Sequence, residues 1–395
     1  AMPKGLTAIG LVSWLGVVLA GCEANVWGVG DDDTVGPVGD DDDVGDDDDD
    51  VLDDDDAWGV EHVPGAEGPE DPADWIFELH QIHQVEIELS GDAEASLRAD
   101  PYEYVEGNLI FDGVLVNQVG FRLKGHLGSF RDLDRKSGFK VDFNRYVTSQ
   151  EFSGLEMLNL NNLVQDYAFV HDLTANTLYR GMGIPAPRVG YAWVTVNGAD
   201  YGLYGVVEAY DDVFLGKNWE EPDGNMYDGD YKHWDDGSYT LLDFSADVHH
   251  LFRLDEGVDV GLADIHAVTE AVQGCAAGGD WPSNLGVRVD MSHHVRYWAT
   301  EVWVGQYDGY TYNHNNYRVY FDPGDGLARL MPWDHDWAFS HDAPITSPGG
   351  YLSYYCKADP TCHAAFLEAL TEVSVTADQL GLDMLDKFNK DSKGK

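Results

Sequence analysis

A block of charge near the start most limits what this chain can fold into. Asp31–Asp33, Asp40–Asp43, Asp46–Asp50 and Asp53–Asp56 supply sixteen aspartates, with Gly, Val and Pro in the gaps. Such a run repels itself and has no apolar face to bury. Residues 23–72 are therefore expected to form a disordered acidic tether, with folding starting near Trp75. The formal net charge is −49, and −33 remains once those sixteen are set aside. A chain this acidic is repelled by phosphate backbones, so no nucleic-acid partner is expected. The Asp blocks lack the central Gly and terminal Glu of an EF-hand loop, which leaves at most weak Ca²⁺ binding on a solvated spacer.

The first residues read as an export signal. Lys4 gives a positive start, and Ile9 to Ala20 is apolar but too short for a comfortable membrane span. The segment ends in Leu19-Ala20-Gly21-Cys22, which resembles a bacterial lipobox. On that resemblance residues 1–22 are a lipoprotein signal peptide, Cys22 is lipidated, and the protein is exported and membrane-anchored. Cys275, Cys356 and Cys362 remain; Cys356 and Cys362 are close enough to bridge in an oxidising compartment. Ala1 before Met2, and the basic run 389–395, read as marks of a fragment.

Beyond residue 73 the pattern is mixed. Val85–Leu89, stretches of Tyr102–Lys124, Phe139–Phe143 and Leu155–Leu160 alternate or run apolar like strands. Gln165–Gly181 reads as a helix with Phe169, Leu173 and Thr177 in an apolar stripe. Asn197-Gly198 predicts a type I′ hairpin between Val189–Val196 and Tyr201–Val207. Met291–Gln306 reads as a helix, Tyr317–Phe321 and Ala328–Met331 as strands, and Ala364–Glu372 and Ala377–Phe388 as short helices. The order implies an α+β fold of two lobes around a cleft, about 75–210 and 211–395.

Four pieces in order resemble the CotH family. They are Arg122-Leu123-Lys124-Gly125 with Gly128-Ser129 and Gly138–Phe143; Asp166 to Pro187; Val196 to Leu215; and Asp308, Asn316-Tyr317 and Pro332-Trp333-Asp334-His335-Asp336. The resemblance implies a divergent protein-kinase fold, some members of which phosphorylate serines of spore-coat partners. It implies ATP with Mg²⁺ or Mn²⁺, and an exported protein as substrate.

Phosphoryl transfer needs a metal at the phosphates, a cation to orient them and a carboxylate to take the hydroxyl proton. By resemblance Asp308 is the catalytic base. Asp334 leads as metal ligand, with Asp336 a rival that shares its face if both lie on a strand. Asn316 fits the family's second ligand, and Asn313 fits the five-residue spacing of ordinary kinases. Lys140 leads as the phosphate lysine within a cationic group of Arg122, Lys124 and Lys136, beside Ser129. Asp172 stands where a helix carboxylate pairs with that lysine, and Glu208 where a hinge contact or a structural salt bridge is expected. Lys124 and His171 stand where the family has Arg. These departures support a second reading, a surface scaffold that keeps the fold without turnover. A third makes the Asp-rich tether a calcium-responsive element. The tandem pairs His249-His250 and His293-His294 point apart, and His80 and His83 lack zinc-site partners.

Overall fold

The computed structural model describes residues 71–381 apart from 127, 235, 259–260 and 341–346. The expected signal peptide, Cys22 and nearly all of the Asp-rich tether lie outside the described residues.

The mixed α+β arrangement is what the chain adopts. Its first half is a closed barrel of β1 (Ile82–Leu89), β2 (Val105–Phe111), β3 (Val114–Lys124), β4 (Gly138–Asp142), β5 (Met157–Asn161), β6 (Val189–Val196) and β7 (Ala199–Glu208). Neighbours pair antiparallel except β1 with β6, which run parallel and close the ring. Alternation decides which side faces in: Val85, Ile87 and Leu89 of β1 are buried between more exposed neighbours. Phe111, Phe121, Phe139 and Leu158 meet them in the interior. The predicted hairpin is present, with positive φ at both Asn197 (49°) and Gly198 (75°), as a type I′ turn requires.

Helix α1 (Gly91–Ala99) crosses from β1 to β2, α2 (His171–Gly181) from β5 to β6, and α3 (Asp212–Asn218) follows β7. The second half is built on an antiparallel sheet ordered β11-β8-β12-β13, from β8 (Asn225–Asp228), β11 (Arg253–Glu256), β12 (Tyr317–Phe321) and β13 (Ala328–Pro332). A small hairpin, β9 (Lys232–His233) and β10 (Tyr239–Thr240), lies between β8 and β11. Around them pack α4 (Ala263–Ala276), α5 (Trp281–Asn284), α6 (Met291–Val304), α7 (Tyr310–Asn313), α8 (Tyr351–Ala358) and α9 (Pro360–Gln379). Trp298 of α6 stacks on Phe366 of α9 with centroids 3.6 Å apart, at the centre of this core. Cys356 and Cys362 form a disulfide across the α8–α9 corner, and Cys275 is a buried thiol. Among the described residues no helix is long and apolar enough to cross a membrane.

Two helix expectations need correction. Residues 165–170 are not helical: Asp166 takes the N–H groups of Ala168, Phe169 and His171, and Phe169 turns left-handed at φ 63°. Helix α2 starts only at His171, and its buried face is His171, Asp172, Thr174, Ala175, Asn176, Leu178 and Tyr179 rather than the Phe169–Leu173–Thr177 stripe. Four of those residues, His171, Asp172, Thr174 and Asn176, are polar because the face turns toward a polar loop. At the other end, α9 is one helix from Pro360, capped by Asp359, where the sequence suggests a start at Ala364 and a break before Ala377.

Candidate active site

A cleft of about 1360 Å³ separates one wall of the barrel from the loops of the second half. Arg122, Lys124 and Lys140 line it from the barrel; Asp308, Asn316 and Asp334 line it from the far side.

Two loops bring the acids in. Strand β13 stops at Pro332, and Asp334 adopts φ 46°, so Asp334 and Asp336 sit on a turn and not on one strand face. The Asp334 carboxylate accepts the Asp336 N–H at 3.4 Å, and its backbone carbonyl accepts from Gln306 Nε2 at 2.7 Å. The His171 ring lies 2.9 Å from the Asp336 carbonyl, tying α2 to the same turn. Burial raises the Asp334 carboxyl, Asp172 adds to the rise, and Lys124 opposes it. Burial, then the neighbouring Asp334 and Asp172, push Asp336 up to about 9.

The second loop runs from Gly305 to Asn316. Asp308 accepts hydrogen bonds from the side chains of Asn313, of Asn315 at 3.2 Å and of Asn316 at 3.0 Å. Burial raises the Asp308 carboxyl and the three amides pull it back. Beneath the loop lies Glu301 of α6, fully buried, accepting the Thr311 N–H at 3.1 Å and the Tyr297 hydroxyl at 3.2 Å. A Cβ at position 309 would come 2.1 Å from Glu301 Oε1, so Gly309 is what lets the loop settle on that carboxyl. Burial pushes Glu301 up to about 8, so it is neutral at pH 7.

On the barrel wall, Lys124 ends β3 and donates to Asn161 Oδ1 at the end of β5. Asn161 Nδ2 donates to Asp172 Oδ2 at 2.9 Å. The other oxygen of Asp172 accepts the His335 N–H at 3.0 Å and lies 3.4 Å from His335 Nδ1. Burial works against the Asp172 charge, but the His335 contacts and Asn161 overcome it and hold Asp172 at about 2. Burial lowers the Lys124 ammonium, while Asp334, Asp172 and Asp336 draw it up.

The structure thus brings together Lys124, Asp172, Asp308, Asn313, Asn316, Asp334 and Asp336. Lys140 sits across the β3–β4 pair from Arg122, one pleat away from Lys124 and without an ion pair among the described residues. Burial and then Arg122 lower its ammonium. The Ser129 hydroxyl accepts the His126 N–H at 3.2 Å within its own loop, which Asn162 clamps by donating to the Ser129 and Lys136 carbonyls. Glu208 stands apart from this group: it pairs with Arg188 at 2.6 Å and with Lys217 at 3.1 Å. Sequence reasoning missed Asn161, Glu301 and Arg318. Arg318 lies under the cleft, paired with Asp228 at 2.8 Å, Asp255 at 3.1 Å and Asp230 at 3.3 Å. Asn159 and Asn161 alternate with buried leucines on β5, a sign that this strand turns a polar face to a site.

Among the described residues, no three His, Cys, Asp or Glu side chains form a metal cluster as they stand. The donors still suit a hard cation. Asp334 feels Asp172 and Asp308 as like charges and Lys124 as the opposing one, and all the acids offer carboxylate oxygen.

The family described as CotH kinase protein matches residues 121–363. Inner spore coat protein H of Bacillus subtilis (strain 168) is 25% identical over 224 residues, covering 54% of this chain and 57% of that protein. The chain therefore spans little more than half of that relative's length. The Shewanella oneidensis MR-1 toxin–antitoxin complex of HipA, HipB and its operator DNA overlaps 77% of this chain and 66% of that one. Its identity is 12% and its TM-score 0.31, too low an overlap to assign a fold.

Proposed function

This chain belongs to the CotH kinase protein family, and from that premise we propose that it is an exported kinase transferring the γ-phosphate of ATP to a Ser or Thr hydroxyl of an exported protein. The observation that carries the reading is the meeting of Asp308, held by three asparagines, with Lys124 and Asp334 in one cleft. The barrel half and the helical half take the parts of the two kinase lobes.

In this reading Asp308 orients the acceptor hydroxyl and takes its proton as the oxygen bonds to the γ-phosphorus. The bond to the bridging oxygen breaks, and ADP leaves with that oxygen. Lys124, rather than Lys140, orients the phosphates, because it stands among the acids; Arg122 and Lys140 add positive charge further along the wall. Asp334 and Asn316 would hold Mg²⁺ or Mn²⁺, with Asp336 and Asn313 beside them. The ion, when bound, neutralises phosphate charge. Neutralisation also suits a loop in which burial and mutual repulsion leave Asp334 and Asp336 reluctant to ionise.

Export is supported by the Cys356–Cys362 disulfide, which persists in oxidising compartments, and by the spore-coat name of the relative. Lipid attachment at Cys22 and the acidic tether fit a surface-held enzyme. The scaffold reading draws on Lys124, whose ammonium is already engaged by Asn161. Labelled ATP separates the two. The kinase reading expects label on the full chain or on an added Ser-containing acceptor, abolished by Asp308→Ala. A folded wild type that binds Mg²⁺-ATP and never transfers label is a scaffold.

A further inference from the structure

Resting on the phosphoryl-transfer reading above, we propose that Asn161 is a positioning residue that stands in for a direct lysine–carboxylate ion pair and keeps Lys124 off the metal-binding acids. Each bond in the chain has one direction. The Lys124 ammonium donates to the Asn161 oxygen, the Asn161 NH₂ donates to Asp172 Oδ2 at 2.9 Å, and Asp172 Oδ1 accepts the His335 N–H at 3.0 Å. A side-chain amide accepts at one end and donates at the other while staying neutral, so it links an ammonium to a carboxylate without discharging either.

The geometry explains why such a spacer is needed. Lys124 is drawn toward Asp334, Asp172 and Asp336 together. In a direct pair its charge would be spent on whichever carboxylate it met, and Asp334 and Asp336 compete for it. Asn161 fixes the ammonium from the barrel side, where β5 is anchored by its pairing with β7 through Asn161 and Gly205. The Lys124 charge stays available to phosphate, and the Asp334 carboxylate stays available to the cation. Asp172 carries the constraint onward: its second oxygen pins the backbone of His335, the residue between Asp334 and Asp336. One amide therefore sets the spacing between the phosphate lysine and the metal loop.

The test uses the full chain and Mg²⁺-ATP. Asn161→Leu keeps the shape and removes both polar ends; about a hundredfold loss in kcat/KM is expected, carried mainly by KM for ATP. Asn161→Asp sets a second carboxylate against Asp172 and loses activity similarly. The double variant Asn161→Asp with Asp172→Asn keeps the donor–acceptor order and the net charge but pairs Lys124 directly with a carboxylate, so it recovers the thermal midpoint and not the KM for ATP. A residue that merely packs β5 would alter the thermal midpoint without this KM-led loss. Asn161→Leu that folds with wild-type KM overturns the proposal, as does a double variant that restores wild-type KM. If Asn161→Leu does not fold, the two charge variants decide. A wild type that turns over ATP beside unaffected Asn161 variants removes only this relay; a wild type that binds no ATP removes the phosphoryl-transfer reading and the relay with it.

Discussion

Asp308 and Asp334 are both half-buried aspartates facing one cleft, yet they are held in opposite ways. Asp308 is surrounded by neutral donors, the amides of Asn313, Asn315 and Asn316, and its loop rests on a carboxyl, Glu301, that is itself neutral at pH 7. Asp334 lies among titratable groups: Asp172 and Asp308 oppose its ionisation, Lys124 favours it, and Asp336 beside it is pushed up to about 9. The first site is held by hydrogen bonds within the protein, which offset part of the burial that raises its carboxyl. The second crowds carboxyls whose ionisation burial and mutual repulsion oppose, and a bound cation would relieve that opposition. On the proposed reading, the difference suits a base held in place by the protein and a loop that takes a cation.

The comparison can be broken at several points. Asp334→Asn removes a carboxylate from the charge-rich loop, and metal-supported ATP affinity should fall by about a hundredfold, measured by calorimetry with and without Mn²⁺. If affinity is unchanged, the metal is held elsewhere. Glu301→Ala strips acceptors from the Thr311 N–H and the Tyr297 hydroxyl and leaves a cavity; a loss of about 3 kcal/mol is expected in denaturant unfolding. Glu301→Gln keeps the neutral shape and should cost about 1 kcal/mol or less. Equal losses would mean that Glu301 is ionised and the loop does not rest on a neutral group. Glu301 also makes stability depend on pH. Glu301 is raised from 4.5 to about 8 in the fold, so its contribution is fully present below about pH 4.5 and is lost as pH rises through 8. Wild-type stability should therefore fall more steeply than that of Glu301→Gln over that window, in unfolding midpoints taken from pH 5 to 8.5.

Local signals in the sequence carried much of this. Asn197-Gly198 signals its hairpin because both residues tolerate positive φ, and the helix expected over Met291–Gln306 is α6. Asp308, Asn316 and Asp334 were found through resemblance and meet in the cleft. What stayed hidden depends on long-range pairing. Nothing local in β1 and β6 signals that they pair in parallel across about a hundred residues to close a barrel. The buried face of α2 is largely polar and so makes no apolar stripe in the sequence, since Asp172 and Asn176 are buried against the His335 loop. Lys140 leads in the sequence, and the register, with Lys124 at the strand end beside Asn161, is what sets the two lysines apart.

The most direct test of a phosphoryl-transfer cleft is calorimetric Mg²⁺-ATP binding by full-length wild type and Asp308→Asn, read beside label transfer on the same samples. Both proteins should bind Mg²⁺-ATP, because Asp308→Asn leaves Asp334 and Lys124 in place, and only the wild type should transfer label, with a loss of about a thousandfold in the variant. Equal transfer by both, or no binding by the wild type, would contradict the account.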